Sequence, residues 1–314
     1  MAGARVLVDV PPIPLDAVRD LLAGAGVTVE GRPPGPRSGG DVVGLLVWGT
    51  AVREDDFARL PQLRVVSTCS VGYNRIDVGA ATRHGVVVCN VPDYCVDEMA
   101  ESTLALLLSL LRGVVVLDRS VRAGRWDDRA AGPLRRVSGT RLGLVGFGRI
   151  GRAVAARALA LGFEVWVADP HRTEAELVAA GVRPASLAEL LPSCDAVSLH
   201  LPLNEETAGF IGERELALMR PGSLLINTAR AGLLDWEAFL HALESGHLAA
   251  AAVDTIAVEP PTPQSPVPDL PNLIVTPHAA WYSPESEQEV YRRATLALRT
   301  VLEGGLPETG VVTS

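Results

Sequence analysis

The sequence is short of aromatics, cysteine, positive charge and long apolar runs, and each shortage removes a class of function. Aromatic residues make up only 4% of the chain and 28 Lys and Arg face 37 Asp and Glu, a net charge of −9 without any basic block. A partner with a phosphate backbone therefore has no electrostatic footprint here, which sets nucleic acid aside. The longest apolar run, "LALLLSLLR", is too short to cross a bilayer. The first residues, "MAGARVLVDV", enter a strand-like segment without a charged and then apolar leader, so the expected setting is cytoplasmic, away from membranes. Four cysteines, Cys69, Cys89, Cys95 and Cys194, lack metal-ligand spacing, which predicts reduced, partly buried thiols and no bound metal. What the chain does have is 314 residues with 48% hydrophobic content, enough for one large or two medium cores.

Short β-branched runs alternate with helical patterns, which predicts parallel α/β layers. The first series is "RVLVDV", the helical "LDAVRDLLAGAG", then "VVGLLVW", "LRVVSTC" and "GVVVCN". A second series, "RLGLVG", "FEVWVAD", "AVSLHL", "SLLINTA", "LAAAAVD" and "NLIVTPH", supplies six strands, enough for a doubly wound sheet. Residues 97 to 112, "DEMAESTLALLLSLLR", are apolar on most faces and read as a buried connecting helix. The last helix, "SPESEQEVYRRATLALRTVLEG", opens on Ser283 and Pro284, a plausible cap and first turn. Two loops, "GRPPGPRSGG" and "VEPPTPQSPVPDLPN", are rich in proline or glycine.

The strongest local motif is "GLVGFGRIGRAVAARALALGFEVWVADP". Gly146, Gly148 and Gly151 form G-x-G-x-x-G, with Arg149 and Ile150 inside it, between a strand and a helix. There the missing side chains let the backbone approach a pyrophosphate at the positive helix N-terminus. Asp169 stands 18 residues beyond Gly151 at the end of the next strand, placed to accept hydrogen bonds from a ribose diol. Its charge repels a 2′-phosphate and favours NAD over NADP, although His171 and Arg172 stand close enough to soften it.

Hydride arriving at a carbonyl carbon leaves charge on oxygen, so a dinucleotide enzyme needs a substrate anchor and a proton donor. "INTARAG" puts Arg230 just past a strand end, where doubly wound sheets bind ligands; an isolated arginine there could equally cap a helix or pair with Asp235. "VDTIAVEP" places Asp254 at the next strand end, with Glu259 five residues later. "TPHAAWY" then brings His278 to the edge of the last strand. A carboxylate beside a histidine would hold the ring oriented and favour its charged form near neutral pH.

With "STCSVGYNRID", "NVPDYCVDEMAESTLALLL", "LPLNEETAGFIG" and "AAAVDTIAVEP" added to these motifs, the chain resembles the D-isomer-specific 2-hydroxyacid dehydrogenase family over nearly its whole length. The resemblance implies two Rossmann-like α/β domains: a discontinuous substrate domain of residues 1–95 plus 284–314, and an NAD-binding domain of residues 96–283, the chain crossing twice through its two long helices. It implies that Arg230 binds substrate carboxylate and carbonyl oxygen, that His278 is the general acid/base, and that Glu259 hydrogen-bonds His278. The Val71 and Gly72 amides would hold the carboxylate, and Asp254 would contact the nicotinamide side. His200, Leu201, Pro202, Thr207, Thr228, Ala229, Arg230, His278 and Ala280 would line the cofactor groove. The implied activity is reduction of a small 2-keto acid with hydride from NADH, and reversibly oxidation of the 2-hydroxy acid, by a homodimer.

Three positions depart from that family's pattern. Ser70 and Ala231 stand where glycine is common, and Ala257 replaces a larger, often acidic residue. The "TPHAAWYS" segment is nearest to the C-terminal-binding-protein branch of dehydrogenase-like corepressors. That similarity places Trp281 in the substrate pocket, with packing on the final helix as the alternative. A second class of function follows, an NAD-sensing interaction module on the same fold. The absence of long recruiting tails favours the enzyme.

Overall fold

The computed structural model describes residues 3–9, 14–31 and 37–313, so residues 32–36 of the first proline-rich loop lie outside the described residues. The chain forms two compact units, Met1–Tyr94 with Ser283–Ser314, and Cys95–Tyr282.

In unit 1, β1 (Ala4–Asp9), α1 (Leu15–Leu21), β2 (Val27–Gly31), β3 (Val42–Val47), α2 (Glu54–Arg59), β4 (Val65–Thr68), α3 (Val78–Arg83) and β5 (Val87–Cys89) alternate as the β-branched runs require. The five strands are parallel in the order β2-β1-β3-β4-β5. β3 and β4 are buried on both faces, hence their consecutive rather than alternating apolar residues, with Ser67 and Thr68 buried beside them in β4. β2, "VTVEG", is the strand that the hydrophobic pattern does not announce: it is a half-exposed edge strand, so only its valines face the core.

Unit 2 contains α4 (Val96–Leu111), α5 (Val114–Arg122), β6 (Arg141–Val145), α6 (Arg149–Ala160), β7 (Glu164–Ala168), α7 (Glu174–Ala179), β8 (Arg183–Pro184), α8 (Leu187–Ser193), β9 (Ala196–Leu199), α9 (Glu213–Leu218), β10 (Ser223–Asn227), α10 (Trp236–Glu244), β11 (Leu248–Val253) and β12 (Leu273–Val275). Its parallel sheet runs β12-β11-β10-β9-β6-β7-β8. The order reverses at β6 and β9, which opens a crevice at the carboxyl ends of those two strands. Seven strands replace the six expected. The extra one, β8, is two residues long and ends in Pro184, tolerable because an edge strand has one side free of the ladder.

α4 buries Ala100, Leu104, Leu107 and Leu111 against α6 and the second sheet. Its end at Gly113 is backbone chemistry: Gly113 has φ +60, and a Cβ there would run into Ala131. The chain then turns into α5, which valine-rich "VVVLDRSVR" does not suggest. Among the described residues no single helix is long and apolar enough to cross a membrane.

The final helix, α11 (Pro284–Leu302), returns to unit 1. Ser283 caps it by accepting from the Ser286 amide, and Pro284 starts its first turn. Val290, Ala294, Leu298 and Val301 pack on the first sheet, the larger ones contributing roughly 1.5–3 kcal/mol each. None of the four cysteines is in a disulfide, and all are buried rather than partly so; burial pushes the Cys89 and Cys194 thiols up to about 11 and about 12, out of reactive range.

Candidate active site

β6 ends in the glycine turn, and two of its three glycines have a steric reason of their own. Gly146 has φ +98, and a Cβ there would stand 2.6 Å from the His200 carbonyl oxygen. A Cβ on Gly151 would strike the Gly146 carbonyl oxygen. At Gly148 the space is open, with nothing within 4 Å. Gly148 is also the N-cap of α6 and offers no side-chain cap, so the first-turn amides of Arg149, Ile150 and Gly151 receive none from it. An uncapped helix start beside room for a ligand fits a pyrophosphate.

Asp169, one residue past β7, is tied to this turn. Its Oδ2 accepts from the Phe147 amide at 2.7 Å and its Oδ1 from the His171 amide at 2.8 Å. Both oxygens keep acceptor capacity for a diol, because each carboxylate oxygen takes about two bonds.

His200 follows β9 across the crevice. Its ring is half-buried, and Nε2 lies 3.0 Å from the Ser198 hydroxyl. Burial lowers its pKa to about 4, so the ring is neutral at pH 7. A folded-state pKa below the unfolded value of about 6.5 means that the unfolded chain binds the extra proton. The stabilisation is complete above about pH 6.5 and is lost as pH falls from there towards 4. With some solvent contact left, the expected loss is about 1–2 kcal/mol. Urea titrations at pH 7 and pH 4.5 should show that much less acid sensitivity in His200→Gln; an identical pH slope would reject the assignment. Beyond His200, the Leu201–Pro202 stretch is held by the Thr207 hydroxyl, which donates to Pro202 O at 2.6 Å.

The register of β10, β11 and β12 sets Asn227, Val253 and Val275 in one row across the sheet. Arg230, Asp254 and His278 leave the same edge from that row, three, one and three residues on. After β10, buried Asn227 shapes the turn: its Oδ1 accepts from Ala229 N at 3.0 Å and its Nδ2 donates to Arg230 O at 2.8 Å. Thr228 is braced from α4 through a 2.8 Å hydroxyl contact with buried Thr103, which itself donates to Met99 O. The Arg230 guanidinium donates through Nη1 to Ala229 O at 2.7 Å and has no ion-pair partner among the described residues. Asp235 instead caps α10, accepting from Ala238 N at 3.1 Å. The Arg230 backbone opens the short 3-10 turn Ala231–Leu233, but its side chain makes no cap bond there and, among the described residues, does not pair with Asp235.

Asp254 is 2% exposed and clasps the loop that carries His278. Its Oδ1 accepts from the Thr276 hydroxyl at 2.5 Å and the Ala279 amide at 2.9 Å, its Oδ2 from the Ala280 amide at 3.0 Å, and its carbonyl from the His278 amide at 2.8 Å. With those bonds made, this carboxylate shapes the loop. His278 is the residue with a left-handed backbone outside glycine, φ +53 among the described residues, a strained state that the Asp254 clasp holds in place. Trp281 adds a brace that the sequence does not reveal, its indole N–H donating to His278 O at 2.9 Å.

The His278 ring places Nδ1 2.8 Å from Glu259 Oε2, and Ile256 N–H fixes the other Glu259 oxygen at 2.9 Å. An ionised carboxylate only accepts, so Nδ1 carries the hydrogen and Nε2 is left to exchange a proton. The imidazole is 43% exposed and Glu259 26%, an oriented pair open on one side. Val71 and Gly72 belong to unit 1, in the loop after β4.

A family model for the D-isomer specific 2-hydroxyacid dehydrogenase NAD binding domain matches residues 104–280. The D-3-phosphoglycerate dehydrogenase of Bacillus subtilis (strain 168) is 40% identical over 241 residues, 77% of this chain and 46% of that protein. Among solved structures, a glyoxylate reductase from Paecilomyes thermophila superposes with TM-score 0.88 at 29% identity, covering 99% of each chain. A D-lactate dehydrogenase from Aquifex aeolicus, complexed with NAD and lactic acid, superposes with TM-score 0.89 at 25% identity, again over 99% of each. The chain spans about half the length of the curated relatives it matches. All of these names are oxidoreductases, which gives the interaction-module alternative no support. Since more than half of the chain falls under the family model, with the glycine turn and the His278 loop both inside the matched residues, the protein belongs to the D-isomer specific 2-hydroxyacid dehydrogenase family and contains its NAD-binding domain.

Proposed function

We propose that the protein is an NAD-dependent D-2-hydroxyacid dehydrogenase that reduces a 2-keto acid and, in reverse, oxidises the hydroxy acid. The observation that carries this reading is the Glu259–His278 pair, held at 2.8 Å on a strained, clasped loop with one imidazole nitrogen open. Arg230, whose guanidinium gives one bond to Ala229 O through Nη1, offers its remaining N–H groups to the substrate carboxylate and carbonyl oxygen, and so stabilises charge growing on that oxygen. His278 donates the proton from Nε2 during reduction and takes it back during oxidation, while Glu259 keeps the ring in the required tautomer. The Val71 and Gly72 amides of unit 1 take the substrate carboxylate. The bound dinucleotide supplies or accepts the hydride.

NADH oxidation with pyruvate, hydroxypyruvate, glyoxylate, phenylpyruvate, phosphonopyruvate and the keto form of 3-phosphoglycerate tests this. The last is included for the name of the Bacillus subtilis relative. Turnover of at least one is expected; silence with all of them overturns the reading.

NAD is the preferred dinucleotide in this reading. Asp169 brings negative charge to the ribose site, and of the two basic residues close in sequence that could soften it, His171 and Arg172, the arginine lies 3.7 Å from Glu176 and has a partner there. The wild type should use NADH at least ~10-fold more efficiently than NADPH, and Asp169→Ala should shrink that ratio several-fold by losing both a diol acceptor and a repulsion. Comparison of kcat/KM for the two cofactors decides it, equal use by the wild type being the adverse result.

A homodimer is the matching assembly. In support, unit 2 leaves Val114 and Val121 of α5, one heptad apart and so on one helix face, exposed, and Trp126 beyond the helix is 92% exposed. Light scattering that finds only monomer at micromolar concentration would refute it.

A further inference from the structure

In the loop after β4, four successive carbonyls are occupied by protein donors. The Val91 amide donates to Ser70 O at 3.0 Å, Asn90 Nδ2 to Val71 O at 2.6 Å, the Ser70 hydroxyl to Gly72 O at 2.6 Å, and the Ile76 amide to Tyr73 O at 2.9 Å. The amides behave oppositely. Among the described residues, the N–H groups of Val71, Gly72 and Tyr73 donate to nothing.

A trans peptide is planar, with its C=O and N–H pointing in opposite directions. Fixing the carbonyl of one residue therefore aims the amide of the next. The Ser70 carbonyl sets the direction of the Val71 N–H, the Val71 carbonyl that of Gly72, and the Gly72 carbonyl that of Tyr73. Successive unpaired amides of this kind form a concavity for an anion. Two of the three orienting donors are side chains, Asn90 and Ser70, and Ser70 stands where the family commonly has glycine, which could not make its bond. Ser70 is itself steadied by a 2.8 Å contact with the Thr68 hydroxyl.

Asn90 is anchored in turn. Its backbone N–H donates to Gly310 O at 2.7 Å, and the chain end continues along β5, with Val312 N–H donating to Val88 O at 2.9 Å and Val88 N–H to the Thr313 hydroxyl at 3.0 Å. Gly310 has φ +83, and a Cβ on it would collide with the Asn90 carbonyl oxygen. Only glycine allows the chain end to lie this close.

We propose that Asn90 and Ser70 are positioning residues for the substrate carboxylate. By holding the Val71 and Gly72 carbonyls they aim the Gly72 and Tyr73 amides at it, and residues 310–313 lock Asn90 in the register that makes this possible. The assignment rests on the 2-keto acid reading above, and it adds Tyr73 N–H to the amides that meet the carboxylate.

Steady-state kinetics of Asn90→Ala, Ser70→Ala, Ser70→Thr and Gly310→Ala, with the best keto acid of the panel, test it. One lost orienting bond should raise KM about tenfold in Asn90→Ala and several-fold in Ser70→Ala. Over the same variants kcat should stay within about threefold and the NADH Kd should be unchanged. Ser70→Thr, which keeps the hydroxyl, should return KM close to wild type. Gly310→Ala should raise KM although it alters no residue of the loop. If Asn90→Ala is insoluble, Ser70→Ala against Ser70→Thr decides alone. Variants with lowered Tm and wild-type KM would overturn the proposal and leave these bonds as structural braces. A wild type that reduces none of the keto acids would fell the functional reading and this inference together, an outcome distinct from an active wild type whose variants are kinetically normal.

Discussion

Replacing His278 with alanine is expected to lower kcat for keto acid reduction by about 10²–10⁴-fold while the NADH Kd changes little. The size follows from the role: a positioned general acid contributes that much, and Nε2 is the open nitrogen of a ring whose other nitrogen is committed to Glu259 at 2.8 Å. Alanine also disfavours the left-handed backbone at φ +53, so an activity loss in His278→Ala alone would confound chemistry with loop strain. His278→Asn separates the two. Asparagine tolerates that backbone but has no titratable proton to give, so its kcat should fall as far as that of alanine while its Tm stays nearer the wild type. Recovery of most of the activity in His278→Asn would show that the residue serves the loop. Measuring kcat, NADH Kd and Tm on both variants settles the matter.

The α/β class was legible because its signal is repetition. β3, β4, β9 and β10 are buried on both faces, so their apolar residues stand side by side rather than alternating with polar ones, even where a buried Ser67, Ser198 or Asn227 joins them. The missed elements carry no such signal. β2 alternates because it lies at an edge, β8 is a two-residue pairing, and α5 is built from β-branched residues. α5 exists because Gly113 turns the chain there and Ala131 closes the space beside it, facts of tertiary packing.

The candidate site divides the same way. Glu259 and His278 could be named from residue type and strand-end position, and the fold sets them 2.8 Å apart. Asn227 and Thr103 could not, because each satisfies a backbone or hydroxyl group whose need for a partner arises only once the loops have formed, and Trp281 could be named for the substrate pocket but not for the bond it gives His278 O. Asp254 was legible as a strand-end acid, but its work was not. The sequence shows a carboxylate, whereas the fold shows one carboxylate taking the Thr276 hydroxyl and two amides to hold the His278 turn. A charged residue at a strand end can thus spend itself mainly on its own loop, as Asp254 does with one acceptor position left on Oδ2, or stay open to a ligand, and the donors and acceptors around it tell the two apart.

Arg230 is of the open kind, and Arg230→Lys should therefore affect kinetics far more than folding. The guanidinium can offer two parallel N–H bonds to a carboxylate and its neighbouring carbonyl, while lysine has a single compact ammonium on a flexible stem. Charge survives the substitution and the fork does not. The expected result is a kcat/KM lower by about 10²-fold, shared between a raised KM and a lowered kcat, because one group both holds the ground state and stabilises charge on the carbonyl oxygen as it develops. Stability should hardly move. Arg230 has no ion-pair partner among the described residues, its bond to Ala229 O is to its own neighbour, and Asp235 is occupied as the α10 cap, so Tm should stay within about 2 °C. A structural arginine would give the reverse pattern, a lower Tm with nearly normal constants. Melting temperature measured beside kcat and KM distinguishes them, and a destabilised Arg230→Lys with unchanged kinetics would remove Arg230 from the site.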